Sequence, residues 1–437
     1  MKHLLVIANL HHASPRIPAL LAYLAEHDWR ATVVTPPLGA EAESVLGLPD
    51  GFLERVEIAV APYRGDIFWF WRKVLGVLGF SSQSSYTEQI KERVGTGKRG
   101  TVDRLMLAYQ TLFAIPDTEW PWRRSALRMA HTLIAERRFD AILSSSPFPT
   151  VHCVASRLKR RHGIPWVADL RDLWSQNHNY PFPEARRRLD RWLEVRTLRS
   201  ADLLTTISLP LADRLESLHG NRVAVVRNGY QPRSSALPET LPERFTISYT
   251  GTIYAGKQNP DRILAALRHL FESGQMDRSR VALNFYGRHD SALQETIAKM
   301  GLAEVVRQHG MLPRAETRQR QRCSHLLLFL QWEDPDEQGI FPLKLYEYLD
   351  AGRPILATGA TGSDEIKDML AETCAGTTAL TSSDIEQALL AAYRSFLADG
   401  TVPYHGIPQA IDHYSYSGCA LQLANHLAQI SPPAGQP

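Results

Sequence analysis

The sequence has little cysteine and no long hydrophobic run. Its four cysteines are scattered over 437 residues without a Cys-x-x-Cys pair, which argues against a disulfide framework or a zinc site and indicates a reducing compartment. The apolar run from Leu4 to Leu10 is broken by Asn9, so no signal peptide is evident. No apolar stretch reaches the length of about 18 residues that a membrane-spanning helix needs. We therefore expect a cytoplasmic protein.

An excess of charge of one sign is also lacking. The chain has 49 Lys and Arg and 46 Asp and Glu, a formal net charge of +3, which is too small to indicate a nucleic acid partner, and we expect none. The hydrophobic fraction of 44% and the charged fraction of 22% are typical of a folded globular protein. The length favours two domains of about 200 residues each.

Strand-like apolar runs alternate with helix-like segments along the whole chain, which predicts parallel α/β layers. A helix is predicted near Ile17–His27 and another near Val151–His162. The predicted strands are His3–Ala8, Ala31–Thr35, Ala141–Ser144, Trp166–Ala168, Leu203–Ile207, Val223–Val226, Phe245–Tyr249, Val281–Tyr286, His325–Leu330, Pro354–Ala357 and Thr377–Leu380.

A proline-rich segment separates two such series. Residues 228–242 contain three prolines and an Asn-Gly turn signal, so we predict a linker at 230–243 between Rossmann-like domains at 1–229 and 244–410. Residues 411–437 are predicted to form a C-terminal helix and a disordered tail. Ligands of such sheets bind beyond the carboxyl ends of the strands, so we expect the site in a cleft between the domains.

The segment from Gly339 to Leu356 is the most informative part of the chain. It is typical of a loop, a short helix, a tight turn and a buried strand, and Lys344 and Glu347 share one face of that helix. A helix N-terminus at a sheet edge favours anions, and an acid one turn further on could hydrogen-bond a ribose. The segment therefore suits a nucleotide diphosphate, and a solvated surface ion pair is the alternative.

A second candidate phosphate contact is the loop from Thr250 to Lys257, between a predicted strand and a predicted helix. Its spacing from Gly251 to Lys257 matches most of a P-loop, but Gln258 stands where a P-loop needs Ser or Thr to hold magnesium. The pattern therefore argues against an ATPase. Thr252 and Lys257 are candidate phosphate ligands, and an ordinary strand-to-helix loop is the alternative.

Two polar loops in the first half are candidates for binding an acceptor. Asp169 and Asp172 follow a buried strand and could orient or deprotonate an acceptor hydroxyl, or could brace the loop together with Arg171. The loop after the first strand has no glycine, so its side chains His11, His12 and Arg16 would have to supply any hydrogen-bond donors.

Two further segments could contact an anionic membrane. Residues 66–80 are dense in aromatic side chains and include Arg72 and Lys73, which is typical of an interfacial helix or of a buried aromatic core. Between Val151 and Ser200, Lys and Arg outnumber Asp and Glu by about two to one. A basic face toward a membrane or a diphosphate acceptor would account for this excess, and so would a solvated helix surface.

These motifs resemble family 4 of the GT-B glycosyltransferases. The run from Pro342 to Leu349 is similar to the Pro-x-Lys-x-x-Glu-Tyr-Leu motif of a polysaccharide-type branch, and Asp169 to Trp174 is similar to its Asp-x-Arg-Asp-x-Trp motif. Two positions depart from the wider family. Gly339 stands where the first of two glutamates is usual, and Thr252 stands where an arginine precedes Lys257 by five positions.

The resemblance implies transfer of a sugar, with retention, from a nucleotide diphosphate sugar to a saccharide or lipid-linked acceptor in surface polysaccharide synthesis. It implies a GT-B fold, a donor-binding second domain, an acceptor-side first domain, and a peripheral position at the inner face of the membrane. The implied catalytic residues are Asp169, Asp172 and Glu347. The implied donor contacts are Gly251, Thr252, Lys257, Arg288, Gly339, Ile340, Phe341, Pro342, Lys344 and Glu347. The implied acceptor contacts are His11, His12, Arg16, Asp169 and Arg171.

We expect no cofactor and no essential metal. The triplet from Asp334 to Asp336 has the DxD form of a metal site but lies in an acidic turn. Two other functions remain open at this point. One is a nucleotide-sugar epimerase on the same fold, and the other is a non-catalytic subunit that binds a sugar nucleotide.

Overall fold

The structure, a computed structural model, divides the chain into two units. The first comprises Met1–Arg227 and Tyr416–Pro437, and the second comprises Asn228–Ser415. The first unit is therefore formed by two stretches of the chain. The described residues are 1–13, 15–38, 49, 51–63, 65–67, 101–178, 180–232, 240–333, 339, 341–359 and 364–431.

A parallel sheet of seven described strands lies in the first unit. The strands are β1 Lys2–Ile7, β2 Trp29–Thr35, β3 Val56–Val60, β4 Ala141–Ser145, β5 Trp166–Asp169, β6 Leu203–Thr206 and β7 Val223–Val225. Their order across the sheet is β3-β2-β1-β4-β5-β6-β7. The described helices are α1 Leu10–Ala13, α2 Arg16–Leu24, α3 Phe52–Arg55, α4 Thr101–Phe113, α5 Arg123–Glu136, α6 Thr150–His162, α7 Glu184–Leu198, α8 Leu209–His219 and, after the second unit, α16 Tyr416–Ile430.

The second unit has a parallel sheet of six described strands. They are β8 Phe245–Thr250, β9 Val281–Tyr286, β10 Val306–Gly310, β11 Leu326–Leu330, β12 Ile355–Thr358 and β13 Gly376–Ala379, in the order β10-β9-β8-β11-β12-β13. The described helices are α9 Asp261–Glu272, α10 Ser291–Lys299, α11 Arg314–Arg322, α12 Leu343–Ala351, α13 Glu365–Thr373, α14 Ser382–Asp399 and α15 Pro408–Asp412.

Both sheets have the strand order of a Rossmann domain. In each, the order reverses beside the first strand, between β1 and β4 in the first sheet and between β8 and β11 in the second. Ligands of such sheets bind beyond the carboxyl ends of the strands at this reversal. The predicted fold class, α/β with two Rossmann-like domains, is confirmed.

Each sheet is covered by apolar side chains on both faces, as parallel sheets require. On β1, Leu4 and Val6 pack in a core with α2 and α16, whereas Leu5 and Ile7 pack in the opposite core with α5 and α6. The alternation arises because successive side chains of a strand point to opposite faces. The continuous apolar run that predicted this strand therefore reflects burial on both sides.

The chain enters and leaves the second unit through two neighbouring segments. The Tyr230 N–H donates to the Tyr414 carbonyl at 3.3 Å, and Tyr230 also forms a parallel bridge with Ser415. The buried Tyr230 side chain belongs to the core beside α12. Residues just past the end of the first unit are thus part of the packed second unit.

Candidate functional site

Two strand ends approach each other closely at the reversal point of the second sheet. β8 continues into Gly251, whose N–H donates to the Tyr286 carbonyl at 2.7 Å, and β9 continues into Gly287. A Cβ added to Gly287 would lie 2.1 Å from the Gly251 carbonyl oxygen, so this approach requires glycine. Gly251 has a φ of +102°, which L side chains rarely adopt. The result is a patch of bare backbone at the sheet edge.

The amine of Lys344 lies against this bare backbone. Its Cε and Nζ are 3.2 Å from the position that a Cβ on Gly251 would occupy. Nζ is 4.1 Å from the centroid of the Tyr249 ring and donates a hydrogen bond to the Tyr249 hydroxyl. Burial lowers the pKa of Lys344 to about 7, although the carboxylate of Glu347 raises it. An amine with such a pKa can change its charge when a ligand arrives.

Tyr249 also supports the loop that follows β8. Its hydroxyl donates to the Thr252 carbonyl at 3.0 Å and lies 3.3 Å from Gln258 Oε1. Gln258 Nε2 donates to the Leu330 carbonyl at 2.7 Å, which ties the loop to the end of β11. Burial raises the pKa of Tyr249 well above its ordinary value, so the hydroxyl stays protonated. The position of Lys344 is therefore coupled to the loop at 251–258.

The charged partner of Glu347 is Arg314, the first residue of α11. Arg314 Nη2 lies 3.1 Å from Glu347 Oε1, and 17% of the Glu347 side chain is exposed. The two predicted residues of α12 thus have different partners, since the amine of Lys344 bonds Tyr249. Sequence reasoning missed Arg314 and Tyr249, because no local pattern indicates that α11 and β8 pack against α12.

Other predicted donor residues lie on neighbouring loops of this edge. The Lys257 N–H donates to the Tyr254 carbonyl at 3.0 Å, and the Lys257 carbonyl accepts a hydrogen bond from the Glu333 N–H at 2.8 Å. Arg288 follows Gly287 at the end of β9 and is exposed. Lys257 and Arg288 therefore follow β8 and β9, two adjacent strands of the sheet.

The segment before α12 is described in part. Pro342 is the N-cap residue of α12 with an extended backbone, Phe341 is buried, and Gly339 has a φ of +85°. Ile340 lies outside the described residues. The left-handed backbone at Gly339 gives a conformational reason for glycine at a position where the resembling family has a glutamate.

An aromatic pair that sequence reasoning did not single out lies at the same sheet edge. Tyr254 follows β8 and Trp332 follows β11, and their ring centroids are 5.1 Å apart. About half of Tyr254 is exposed, at 53%. Because β8 and β11 flank the reversal of strand order, these rings lie where ligands of Rossmann sheets bind, and aromatic side chains commonly line such sites.

In the first unit, Asp169 is buried at the end of β5 and is paired with Arg16. Arg16 Nη2 lies 3.2 Å from Asp169 Oδ1, and the Ser145 and Thr205 hydroxyls donate to the same carboxylate at 2.7 and 2.9 Å. Burial opposes ionisation, but Arg16 and the hydroxyls hold the pKa of Asp169 below its ordinary value. Asp169 therefore belongs to a structural Asp–Arg network, which was one of the two alternatives that the sequence left open. Its arginine partner is Arg16, whereas the sequence had suggested Arg171.

Arg171 and Asp172 lie closer to solvent at the same edge. Arg171 Nη2 donates to the His12 carbonyl at 2.9 Å, and Arg171 Nε is 3.7 Å from Asp172 Oδ2. The Nε2 of His11, an exposed residue, lies 3.0 Å from the Pro37 carbonyl. Since 44% of the Asp172 side chain is exposed against 3% for Asp169, Asp172 is the carboxylate of this motif that a ligand can reach.

The predicted metal and membrane segments fall largely outside the described residues. These are the triplet at 334–336 and residues 68–80 of the aromatic segment. Within the part of the chain that the structure describes, no group of three His, Cys, Asp or Glu side chains is placed to hold a metal ion. The described helices include none with the length and apolar character to cross a bilayer.

Two Rossmann-like domains, with a lysine and bare backbone at the strand reversal of the second, fit the fold of GT-B glycosyltransferases. The model of Glycosyltransferase Family 4 matches residues 94–233, and that of Glycosyl transferases group 1 matches residues 244–399. Together these matches cover more than half of the chain, which belongs to the family-4-like GT-B glycosyltransferases. The predictions of this family and of a transferase are confirmed, and the protein is a glycosyltransferase.

Several solved structures share the fold over nearly the whole chain. HepE of Anabaena, in complex with UDP and glucose, has a TM-score of 0.59 at 14% identity and covers 98% of this chain and 100% of its own. A glycosyltransferase from Rickettsia africae has a TM-score of 0.58 at 11% identity, covering 98% of each chain. Sucrose-phosphate synthase from Thermosynechococcus elongatus has a TM-score of 0.55 at 13% identity, covering 98% and 99%. A comparison with curated proteins gives no match.

Proposed function

We propose that this glycosyltransferase moves a sugar, with retention at the anomeric carbon, to a saccharide or lipid-linked acceptor in surface polysaccharide synthesis. We further propose that it works at the inner face of a cell membrane. Support for the polysaccharide role comes from the runs at 342–349 and 169–174, which are similar to those of the polysaccharide-type branch. HepE, whose fold is similar, is known in complex with UDP-glucose, which supports a nucleoside diphosphate donor.

The donor assignment rests on one observation, the Lys344 amine held against Gly251. Bare backbone at Gly251 and Gly287 allows a diphosphate to approach, and the α12 N-terminus adds a partial positive charge. Lys257 and Arg288 on adjacent loops offer further cations. In this proposal, the cations stabilise the negative charge that develops on the departing diphosphate, which is where electrostatic catalysis acts. An essential metal is not part of this proposal.

The nucleoside would be held next to this charge. Glu347 can accept hydrogen bonds from ribose hydroxyls, and Arg314 at 3.1 Å holds the carboxylate in position. Thr252 and the backbone of residues 339–342, including Ile340, are the remaining proposed donor contacts. The pair formed by the exposed Tyr254 and the partly buried Trp332 offers an apolar surface for a ring of the donor.

On the acceptor side, we assign the reactive role to Asp172 and a positioning role to Asp169. An exposed carboxylate can orient an acceptor hydroxyl or take its proton, whereas the buried Asp169 fixes the loop through Arg16. Arg171 and the loop that carries His11 and His12 would complete the acceptor contacts, since Arg171 bonds the carbonyl of His12.

The decisive experiment is an NMR transfer assay with a panel of nucleotide sugars and lipid-linked saccharides. We expect a product with the anomeric configuration of the donor. Lys344→Ala and Glu347→Ala should each lower transfer at least tenfold, about 1.4 kcal/mol, while Lys299→Ala at an exposed position of the same unit should not. An inverted product, or parental kinetics in both folded variants, contradicts the proposal.

The same assay distinguishes the other two functions that the sequence left open. Conversion of the donor sugar without any acceptor would identify an epimerase. Donor binding without turnover across the acceptor panel would identify a non-catalytic binding subunit.

A further inference from the structure

Helix α7 buries three charged side chains, together with Leu198, and exposes three large apolar ones. Arg186, Asp190 and Glu194 are buried along one face at intervals of four residues. The large apolar side chains on the opposite side are exposed at 39%, 58% and 37%, and they are Leu189, Trp192 and Val195. A surface helix of a globular protein ordinarily shows the reverse arrangement.

The buried network fixes this orientation. Arg186 Nε lies 3.0 Å from Asp190 Oδ1, and its guanidinium donates to the Thr111 carbonyl at 2.6 Å at the end of α4. Glu194 accepts a hydrogen bond from the Ser175 N–H at 3.0 Å. Rotating α7 to bury its apolar face would unpair these buried charged groups, which costs more than burying a few apolar side chains returns.

The outward side is also strongly basic. Its exposed arginines are Arg187, Arg188, Arg191, Arg196 and Arg199. Arg160 of α6 joins them at a groove of about 580 Å³ that Trp192 also lines. Opposing charge is sparse, because Glu184 pairs with Arg187 and Arg188 at 3.9 and 3.5 Å and the other acids of α7 are buried.

We propose that the outward face of α7 docks onto an anionic lipid bilayer. Guanidinium groups complement lipid phosphates, tryptophan favours the boundary between headgroups and acyl chains, and the apolar stems of the arginines can lie along that boundary. The residues of this surface are different from those of the aromatic segment at 66–80. Docking would bring the enzyme to the bilayer that holds a lipid-linked acceptor, and to that extent the inference rests on the proposed function.

Vesicle flotation tests the docking surface with the full-length protein. The parent should float with vesicles of phosphatidylcholine and phosphatidylglycerol at low salt, should be released at high salt, and should stay behind with phosphatidylcholine alone. Arg188→Gln with Arg199→Gln, and separately Trp192→Ser, should each weaken partitioning roughly tenfold or more. The matched controls Arg30→Gln and Leu421→Ser change exposed residues elsewhere in the first unit and should float like the parent.

Two further measurements keep the outcomes distinct. Melting temperatures equal to that of the parent would show that the variants fold. Transfer to a short soluble saccharide should stay at the parental rate, which would separate a loss of membrane docking from a loss of catalysis. A parent that does not float with anionic vesicles, or α7 variants that float as the parent does, overturns the proposal. Binding to RNA or to an acidic protein in place of vesicles overturns it as well.

Discussion

The amine of Lys344 lies over the ring of Tyr249, with Nζ 4.1 Å from the centroid, and donates a hydrogen bond to the hydroxyl of the same tyrosine. Burial lowers the pKa of the amine to about 7, and the ring face and the Glu347 carboxylate favour its charged form. A diphosphate bound beside this amine would favour the charged form much more strongly. Protonation of Lys344 and donor binding are therefore linked.

The affinity for a nucleoside diphosphate should fall as the pH rises from about 6 to about 8.5. In the free enzyme Lys344 is protonated below its pKa of about 7 and neutral above it, while the diphosphate binds the protonated form. Above that pKa, binding must take up a proton, and affinity should drop up to tenfold per pH unit. Calorimetric titration in buffers of different ionisation enthalpy measures the uptake. Lys344→Arg should remove the pH dependence, and a parent with constant affinity would contradict the linkage.

Tyr249→Phe should raise the KM for the donor several-fold and leave kcat nearly unchanged. The substitution removes the hydroxyl that accepts from Lys344 and donates to the Thr252 carbonyl, at a cost of about 1–2 kcal/mol. The charged amine loses a partner, so the pH profile of KM should move to lower pH. Tyr404→Phe is the matched control, because its buried hydroxyl has no hydrogen-bond partner among the described residues. A profile like that of the parent would show that the ring alone positions the amine.

Gly251→Ala should reduce nucleoside diphosphate affinity about tenfold. The new Cβ would stand 3.2 Å from Lys344 Cε and Nζ, so the amine must give way by a few tenths of an ångström. Gly301→Ala is the control for backbone strain, since Gly301 also has a positive φ but open space around it. Both variants should lose about 1–2 kcal/mol of stability, and only Gly251→Ala should lose affinity in a calorimetric titration. Equal affinities in the two variants would argue against a diphosphate at this backbone.

Asp169→Asn should act mainly on stability. It breaks the buried pair with Arg16, which is expected to cost about 3–5 kcal/mol in urea unfolding. The folded state holds the pKa of Asp169 below its ordinary value. The pair therefore stabilises the fold fully at pH values above the ordinary pKa of a carboxyl group. This stabilisation is lost as the pH falls through the lowered pKa of Asp169. Asp172→Asn, in a half-exposed carboxylate, should keep the parental stability and lower transfer. A stable Asp169→Asn enzyme that loses transfer selectively would make Asp169 a catalytic residue.

Transfer should survive EDTA. The expectation rests on the Lys344 amine beside Gly251, which can provide positive charge for a departing diphosphate. Initial rates with and without the chelator provide the measurement. Complete loss of activity, restored by magnesium or manganese, would show that a metal supplies this charge.

The sequence predicted the inner strands of both sheets and missed one outer edge of each. β3 and β10 lie at those edges, and each has one buried residue among partly exposed ones. Inner strands are buried on both faces and are recognisable as apolar runs, whereas Val56–Val60 is interrupted by Glu57 and Val306–Gly310 is mostly polar. The strands that escaped prediction are therefore those that water reaches.

In the candidate site, the sequence predicted residues that are neighbours along the chain and missed those that only packing brings together. Lys344 and Glu347 were recognisable because they are neighbours on one helix. Tyr249 and Arg314, which contact them, come from β8 and α11, and only the packing of the second unit brings these elements together. Asp169 was singled out by its motif, but its burial and its pairing with Arg16 depend on contacts across the first sheet.

The path of the chain has a consequence for synthesis on the ribosome. α16 buries Cys419, Leu423 and Leu427 in the core beside α2, although the whole of Asn228–Ser415 is translated between these helices. The second unit can therefore complete its fold while the first still exposes the apolar groove that α16 will fill. During that interval the nascent protein combines a finished domain with an unfinished one, and the unfinished one is open to aggregation or to capture by a chaperone.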